Sequence, residues 1–419
     1  MSASDLAIVA GIVFLWGTLS ARLERYDVTA SIIFVLAGLL LTHGPLAPLG
    51  FAPSHELVKT LAEITLVLVL FSDASRVRLR DLRADAGLCL RLLGIGLPLT
   101  IGLGTLLAFA LFNGMSIWLA LLVGAALAPT DAALGAGVMV NPAVPARIRR
   151  LLNIESGLND GIATPVVLVA IAGAATAEHA VSVGPGAAVA ELALGVLAGV
   201  LIGGAGGLVV NVARRRGWAE GGFAGSAVLA LAACAYACAL ALHGNAFIAA
   251  FTGGLAYGAT SGKLGERLVP YVEETGALVS LLVWLAFGAT AVVPAFENLT
   301  WQAVLYAVLS LTVIRMVPVA LALAGRRLGR RAVAFVGWFG PRGLASVVFA
   351  LLALEDLDHS AEPAITVIAF TVLLSVVAHG LTANPLARRY GPRLAITPGR
   401  PDDAEAHPLP ARRLIRRAS

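Results

Sequence analysis

The stretch "LNIESGLNDGIATP", residues 152–165, sets Glu155, Ser156, Asn159 and Asp160 close together between long apolar runs. On a helix Ser156 and Asp160 share one face, while Glu155 and Asn159 share a second face rotated by about 100°. The first face offers carboxylate and hydroxyl oxygens, hard ligands that suit an alkali ion as they suit Ca²⁺ or Mg²⁺. The second face can hold structure. Glu155 needs a cationic partner, because an unpaired buried carboxylate is neutralised or strongly destabilising, and Arg315 and Arg342 are the arginines at hand in apolar surroundings. Two further stretches carry the same polar chemistry: "GAALAPTDAALGAG", with Pro129, Thr130 and Asp131, and "GWFGPRGLASVV", with Gly340, Pro341, Arg342 and Gly343. Proline removes a helical hydrogen bond and frees carbonyls in the preceding turn, so both read as helix breaks. Groups of these types bind a cation and exchange a proton. Thr130 and Ser156 also suit helix N-caps, but a cap does not account for Asp131 and Asp160 together. The seven histidines include no H-E-x-x-H pairing, so metalloprotease chemistry has no support.

The elements that must position these residues follow from composition. The chain has 419 residues, 58% hydrophobic and 13% charged, with mean hydropathy +0.87, which is too apolar for one aqueous core. It reads as an all-α polytopic membrane protein. Thirteen apolar segments approach the roughly 20 residues that cross about 30 Å of hydrocarbon. They cover 5–20, 28–45, 56–74, 86–112, 115–140, 156–177, 185–211, 224–242, 245–260, 272–294, 300–324, 332–353 and 363–386. None alternates as a membrane β-strand would. Basic clusters follow every odd-numbered segment: Arg22 and Arg25; Arg76, Arg78, Arg80 and Arg83; Arg147, Arg149 and Arg150; Arg214, Arg215 and Arg216; Lys263 and Arg267; Arg326, Arg327, Arg330 and Arg331; and the tail. The other loops are acidic or neutral, apart from Lys59. The positive-inside rule then places the N-terminus outside and the C-terminus in the cytoplasm of a cell membrane. The first segment lacks a basic n-region and an A-x-A site, so it reads as a retained helix.

The two broken segments are the fifth of segments 1–6 (about 5–177) and the fifth of segments 8–13 (about 224–386). These units start on opposite sides of the membrane, which makes them inverted repeats, the architecture in which secondary transporters build a midplane ion site. The transmembrane domain therefore spans 1–387. Residues 388–419, rich in proline and charge, read as a disordered cytoplasmic tail, whose arginine pairs can also rest on anionic lipid headgroups. The net charge of +5 reflects inward-facing loops and not a nucleic-acid surface. Cys89, Cys234 and Cys238 lie within segments and read as packing. His243 and His379 lie near segment ends, where a satisfied interfacial histidine is the plain reading and a pH sensor the alternative. Arg91 reads as snorkelling and Glu191 as interfacial. A channel would need a continuous polar lining or a filter ring, and neither stands out.

"APTD", "ESGLNDG", "VIRMVP" and "GPRGLAS" together resemble the monovalent cation/proton antiporter superfamily, specifically the NhaP-type sodium/proton branch that includes animal exchangers. The resemblance covers nearly the whole chain. It implies a homodimer in which each protomer has a dimerisation domain and a six-helix core, with two broken helices crossing beside the ion site. It implies that Asp160 binds Na⁺ (or Li⁺) and the proton in turn, with Asp131, Ser156, the Thr130 carbonyl and Asn159 around it. Asn159 stands where electrogenic relatives have Asp, which implies electroneutral one-for-one exchange; K⁺/H⁺ exchange on the same fold is the rival. Glu155 matches a structural acid paired with Arg315, with Arg342 close by. No cofactor is implied. Where many relatives have "FEGG", this chain has "FSDAS", so Asp73 is a possible additional ligand, or else caps a helix end or faces Arg76. Competition between proton and cation for one desolvated carboxylate then suffices for alternating-access antiport, since only the neutralised site crosses the hydrocarbon cheaply.

Overall fold

The computed structural model describes residues 3–390 except 24–27, 48–49, 52, 78–85, 132–133, 135, 140, 142–143, 180–184, 220, 327 and 358–360. Arg25, Arg78, Arg80, Arg83, Arg327 and the tail beyond Tyr390 lie outside the described residues. Helices α1 (Ala3–Leu23), α2 (Ala30–Thr42) and α3 (His55–Ser75) come first. Helices α4 (Ala86–Arg91) and α5 (Leu97–Leu111) are joined by a π-helical turn, Leu92–Gly96. There follow α6 (Ile117–Ala126), α7 (Ala136–Met139), α8 (Ala146–His179), α9 (Pro185–Arg215), α10 (Gly221–Ala241) and α11 (Ala246–Thr260). The remainder comprises α12 (Gly262–Glu266), α13 (Val269–Thr290), α14 (Val292–Glu297), α15 (Trp301–Leu311), α16 (Val313–Leu323), α17 (Arg330–Trp338), α18 (Leu344–Leu357) and α19 (Glu362–Tyr390). No strand occurs among the described residues.

Helix occupies part or all of each apolar segment read from the sequence. Among the described residues eight helices are long and apolar enough to cross a membrane, and α2, α6 and α11 are shorter apolar helices. Several helix starts are fixed by local chemistry: Ser54, Ser116, Asn245 and Thr300 each accept a hydrogen bond from the amide three residues on. Both expected breaks are present, between α6 and α7 and between α17 and α18. Three features differ from the expectation. α8 begins at Ala146 rather than near 156, so Ser156 lies well inside the helix and is not its N-cap. The eleventh segment is interrupted at Thr312 (φ −112°, ψ −88°), which puts Arg315 in the first turn of α16. The last helix runs to Tyr390, three residues past the expected domain end.

Small residues determine how closely the helices approach. Along α9, Gly195, Gly199, Gly203 and Gly207 recur every fourth residue and lie against the backbone or hydroxyls of Asn245, Ala249, Thr252, Gly253, Tyr257 and Thr260. A methyl group at any of the four would collide with those atoms. Such stripes let membrane helices gain dispersion contacts where lipid supplies no hydrophobic drive. Farther in, α11 is seated on α3 through Gly254 and Gly258 against the Phe71 and Ser75 carbonyls, and Gly38 of α2 and Gly288 of α13 face each other's helix backbone. The α3 helix so held brings the Asp73 backbone beside Gly157 of α8.

Gly199→Val should therefore lower the thermal unfolding midpoint of the detergent-solubilised protein, by the equivalent of about 1–3 kcal/mol of overpacking. Gly17→Ala on α1, where nothing lies within 4 Å, should leave the midpoint unchanged or raise it slightly. Equal effects would show that the α9–α11 contact is not limited by backbone approach.

Candidate ion-binding site

The two interruptions meet. Ending α6 at Ala126 leaves carbonyls without helical donors, and three of these are taken by the other broken segment. Ser346 Oγ donates to Ala126 O at 2.6 Å, and Arg342 Nη1 donates to Ala128 O at 2.6 Å and Pro129 O at 3.1 Å. In return the Asp131 amide donates to Pro341 O at 2.8 Å, and Asp131 Oδ2 accepts from the Leu344 amide, the first of α18, at 3.0 Å. A guanidinium thus sits at the negative end of one half-helix and a carboxylate at the positive end of another. Gly343 permits this, since a side chain there would strike the Asp131 carboxylate; Gly340 likewise leaves room for the Arg315 guanidinium and the Thr130 methyl.

Helix α8 crosses beside this junction. Glu155, Ser156, Asn159 and Asp160 are all buried. Thr130 connects α8 to the break: its hydroxyl lies 3.0 Å from Ser156 Oγ and accepts from Asn159 Nδ2 at 2.7 Å. Asn159 Oδ1 is buried and meets no protein donor. Thr164 Oγ1 donates to the Asp160 carbonyl at 2.7 Å, and Pro165, with no amide to give, leaves the Gly161 carbonyl without its helical donor. Glu155 Oε1 and Arg315 Nη1 form an ion pair at 2.6 Å, both side chains almost wholly buried. Arg342 is completely buried as well.

The structure thus brings Thr130, Ser156 and Asn159 into one hydrogen-bonded group with Asp160 next to Asn159 on the same helix. Asp131 joins the junction through Leu344, and Glu155 with Arg315 forms a separate lock. Asp73 is placed by its backbone against Gly157, one residue from Ser156. Arg76, its alternative partner, donates to Glu273. Ser346 and Thr164 belong to this network and were not singled out from sequence; the quoted "GPRGLAS" contains Ser346, but a serine in an apolar helix carries no positional signal of its own. His379, read as interfacial, is instead 1% exposed and lies against the α17–α18 break.

Interrupted helices crossing at buried carboxylates in a bundle of apolar spans are the build of a membrane transporter and not of an enzyme. Comparison with known proteins gives the family: the model described as sodium/hydrogen exchanger, transmembrane, matches residues 9–389, and the chain belongs to that family. The fold is similar to that of the sodium proton antiporter MjNhaP1 from Methanocaldococcus jannaschii, with TM-score 0.76 and 18% identity, covering 92% of this chain and 98% of the other. A K(+)/H(+) antiporter NhaP of Alkalimonas amylolytica is 26% identical over 402 residues, 93% of this chain and 67% of that protein. An uncharacterized Na(+)/H(+) exchanger of Mycobacterium tuberculosis is 32% identical over 220 residues, which is 50% of this chain and only 36% of the relative.

The Glu155–Arg315 lock generates a stability prediction. Glu155→Ala strands a buried guanidinium and should cost about 3–5 kcal/mol, read as a fall in the unfolding midpoint, whereas Glu155→Ala combined with Arg315→Met should recover much of that loss. A single variant as stable as the parent would show that the pair does not hold α8 to α16.

Proposed function

We propose that this protein exchanges Na⁺ for H⁺ across a cell membrane, one for one and without net charge movement, by alternating access at Asp160. The observation that carries the reading is the set of charged groups at the two breaks: the buried Arg315, Arg342, Glu155 and Asp160, and the part-buried Asp131. With Glu155 tied to Arg315, and with Arg342 and Asp131 held at the two half-helix ends, the charge of Asp160 is taken as the one that changes in the cycle. A single monovalent cation or a single proton cancels it. Asn159 is neutral in either state, so no second charge enters the cycle.

Asp160, Asp131, Ser156, Thr130 and Asn159 are the proposed ion and proton ligands, with Asp73, whose backbone carbonyl lies beside Gly157, as a further ligand through that neutral oxygen. The hydroxyls of Thr130 and Ser156 and Asn159 Oδ1 supply hard oxygens beside the carboxylate. The bare site is costly to carry through hydrocarbon and the neutralised one is not, so exchange proceeds without leak. We place the N-terminus outside and the C-terminus in the cytoplasm, and we read 5–177 and 224–386 as inverted repeats of a homodimeric protein. K⁺ in place of Na⁺ is the second reading, favoured by the potassium named for the Alkalimonas relative, which aligns with 93% of this chain.

Three expectations follow for purified protein in liposomes. Asp160→Asn should abolish exchange at every pH while the unfolding midpoint stays near that of the parent, because an amide neither releases a proton nor binds a cation firmly; retained exchange would remove Asp160 from the centre. The apparent KM for the cation should rise as pH falls, since protons then occupy the shared carboxylate; a KM independent of pH would exclude competition. Na⁺, Li⁺ and K⁺ tested separately decide the ion. If K⁺ is not carried, valinomycin and K⁺ gradients that set different potentials should leave rate and end point unchanged. An uncompensated charge would couple at about 2.3 kcal/mol per 100 mV, so a dependence on potential would overturn one-for-one exchange.

A further inference from the structure

In a continuous helix the amide of residue 342 would donate to the carbonyl of residue 338. Here the chain is unwound between Trp338 and Leu344, and that bond is absent. The Trp338 carbonyl accepts instead from the Gly340 amide at 2.8 Å, and the two ends are also joined through side chains of α19. The Arg342 amide donates to Ser375 Oγ at 2.7 Å, Ser375 Oγ lies 3.1 Å from His379 Nδ1, and His379 Nε2 lies 2.9 Å from the Trp338 carbonyl. The Nε2–H tautomer serves the bridge, with Arg342 N–H to Ser375 Oγ, Ser375 O–H to Nδ1 and Nε2–H to Trp338 O; Nδ1 also lies 2.9 Å from the Ser375 carbonyl, to which it would donate only if protonated. Ser375 and His379 are one helical turn apart and present this bridge from a single face. The ring of Trp338 lies 5.2 Å from the imidazole, and its Nε1 donates to Thr382 Oγ1 at 3.0 Å, fixing the end of α17 against the same helix.

We infer that Ser375 and His379 are positioning residues for the exchange site. They substitute a serine–imidazole bridge for the missing backbone bond and hold the Trp338–Arg342 turn open. Held in this way, the Arg342 side chain reaches the Ala128 and Pro129 carbonyls, and the Leu344 amide meets Asp131. Neither residue touches the proposed ion; both act through Arg342 and Asp131. The transport readout of this inference rests on the antiport reading above, and its structural readout does not.

The test uses His379→Gln, His379→Asn and Ser375→Ala in the full chain. Glutamine places its amide nitrogen near the depth of Nε2 and can still donate to Trp338; asparagine reaches only as far as Nδ1. Exchange is measured in liposomes with whichever cation the parent protein carries, together with amide hydrogen exchange over residues 339–343. His379→Gln should retain the parent cation affinity and pH profile. His379→Asn and Ser375→Ala should raise the apparent KM by about fivefold, the weight of one buried hydrogen bond, and speed amide exchange in the turn by a similar factor. If the His379 variants do not fold, Ser375→Ala against the hydroxyl-bearing Ser375→Thr carries the same comparison. Equal impairment of the Gln and Asn variants, or unchanged amide exchange in Asn and Ala, would overturn the inference. So would a flattened pH profile in His379→Gln, which would make the imidazole a proton sensor instead. A parent protein that exchanges no cation would overturn the proposed function and leave this inference to be decided by amide exchange alone.

Discussion

A helix broken inside a membrane exposes backbone groups that lipid cannot satisfy, each at a cost of several kcal/mol. This protein breaks two helices at one place and lets each supply what the other lacks. Arg342 and Ser346 take the carbonyls at the end of α6, while Asp131 takes the first amide of α18 and also gives its own amide to Pro341. Each break is satisfied in part by the other, and the second also by Ser375 and His379 of α19. The glycines flanking the breaks are consequences of this exchange, because Gly343 and Gly340 stand where any side chain would push Asp131 or Arg315 away.

The arrangement of charge follows from the same junction. Fixing a guanidinium and a carboxylate at half-helix ends leaves Glu155 to be balanced separately, and Arg315 does so from the start of α16. Had the eleventh segment been one unbroken helix, Arg315 would present a different face; the interruption at Thr312 sets its direction. Thr130 then ties the junction to α8 through Ser156 and Asn159. In the proposed exchange, this rigid surround is what allows Asp160 to be the one group whose charge changes between loaded states.

The periphery is built by a different physical means. Lipid offers no hydrophobic drive for helix association, so α9, α11, α3, α13 and α2 are joined by close approach of backbones at glycines, beside a cluster of larger side chains that includes Phe71 and Tyr257. That packing carries α3 to the surface of α8 at Gly157 and sets Asp73 beside the site, whose polar network is otherwise assembled from α8, the two breaks and α16.

Much of this was legible in the sequence. Composition and segment length bound the class, because a chain this apolar has few ways to satisfy its backbone except as membrane helices. The prolines and glycines at 129–131 and 340–343 marked both breaks, since proline cannot donate and the freed carbonyls must go elsewhere. Glu155 required a cation within reach, and Arg315 and Arg342 were at hand in apolar surroundings. What sequence could not decide was direction and partnership. Ser156 was as good a cap as a ligand until the start of α8 at Ala146 put it mid-helix. Residue chemistry alone offered Glu155 either Arg315 or Arg342, and only the family resemblance chose Arg315; in the structure the kink at Thr312 aims Arg315 at the acid and the unwound turn aims Arg342 at carbonyls. His379 looked interfacial by its distance from the end of a segment, yet α19 is long enough to carry it into the interior, opposite a backbone gap on a helix distant in sequence. Local residue chemistry determines where a chain must break and which groups need partners; only the packing of helices far apart in the sequence decides which partner each one meets.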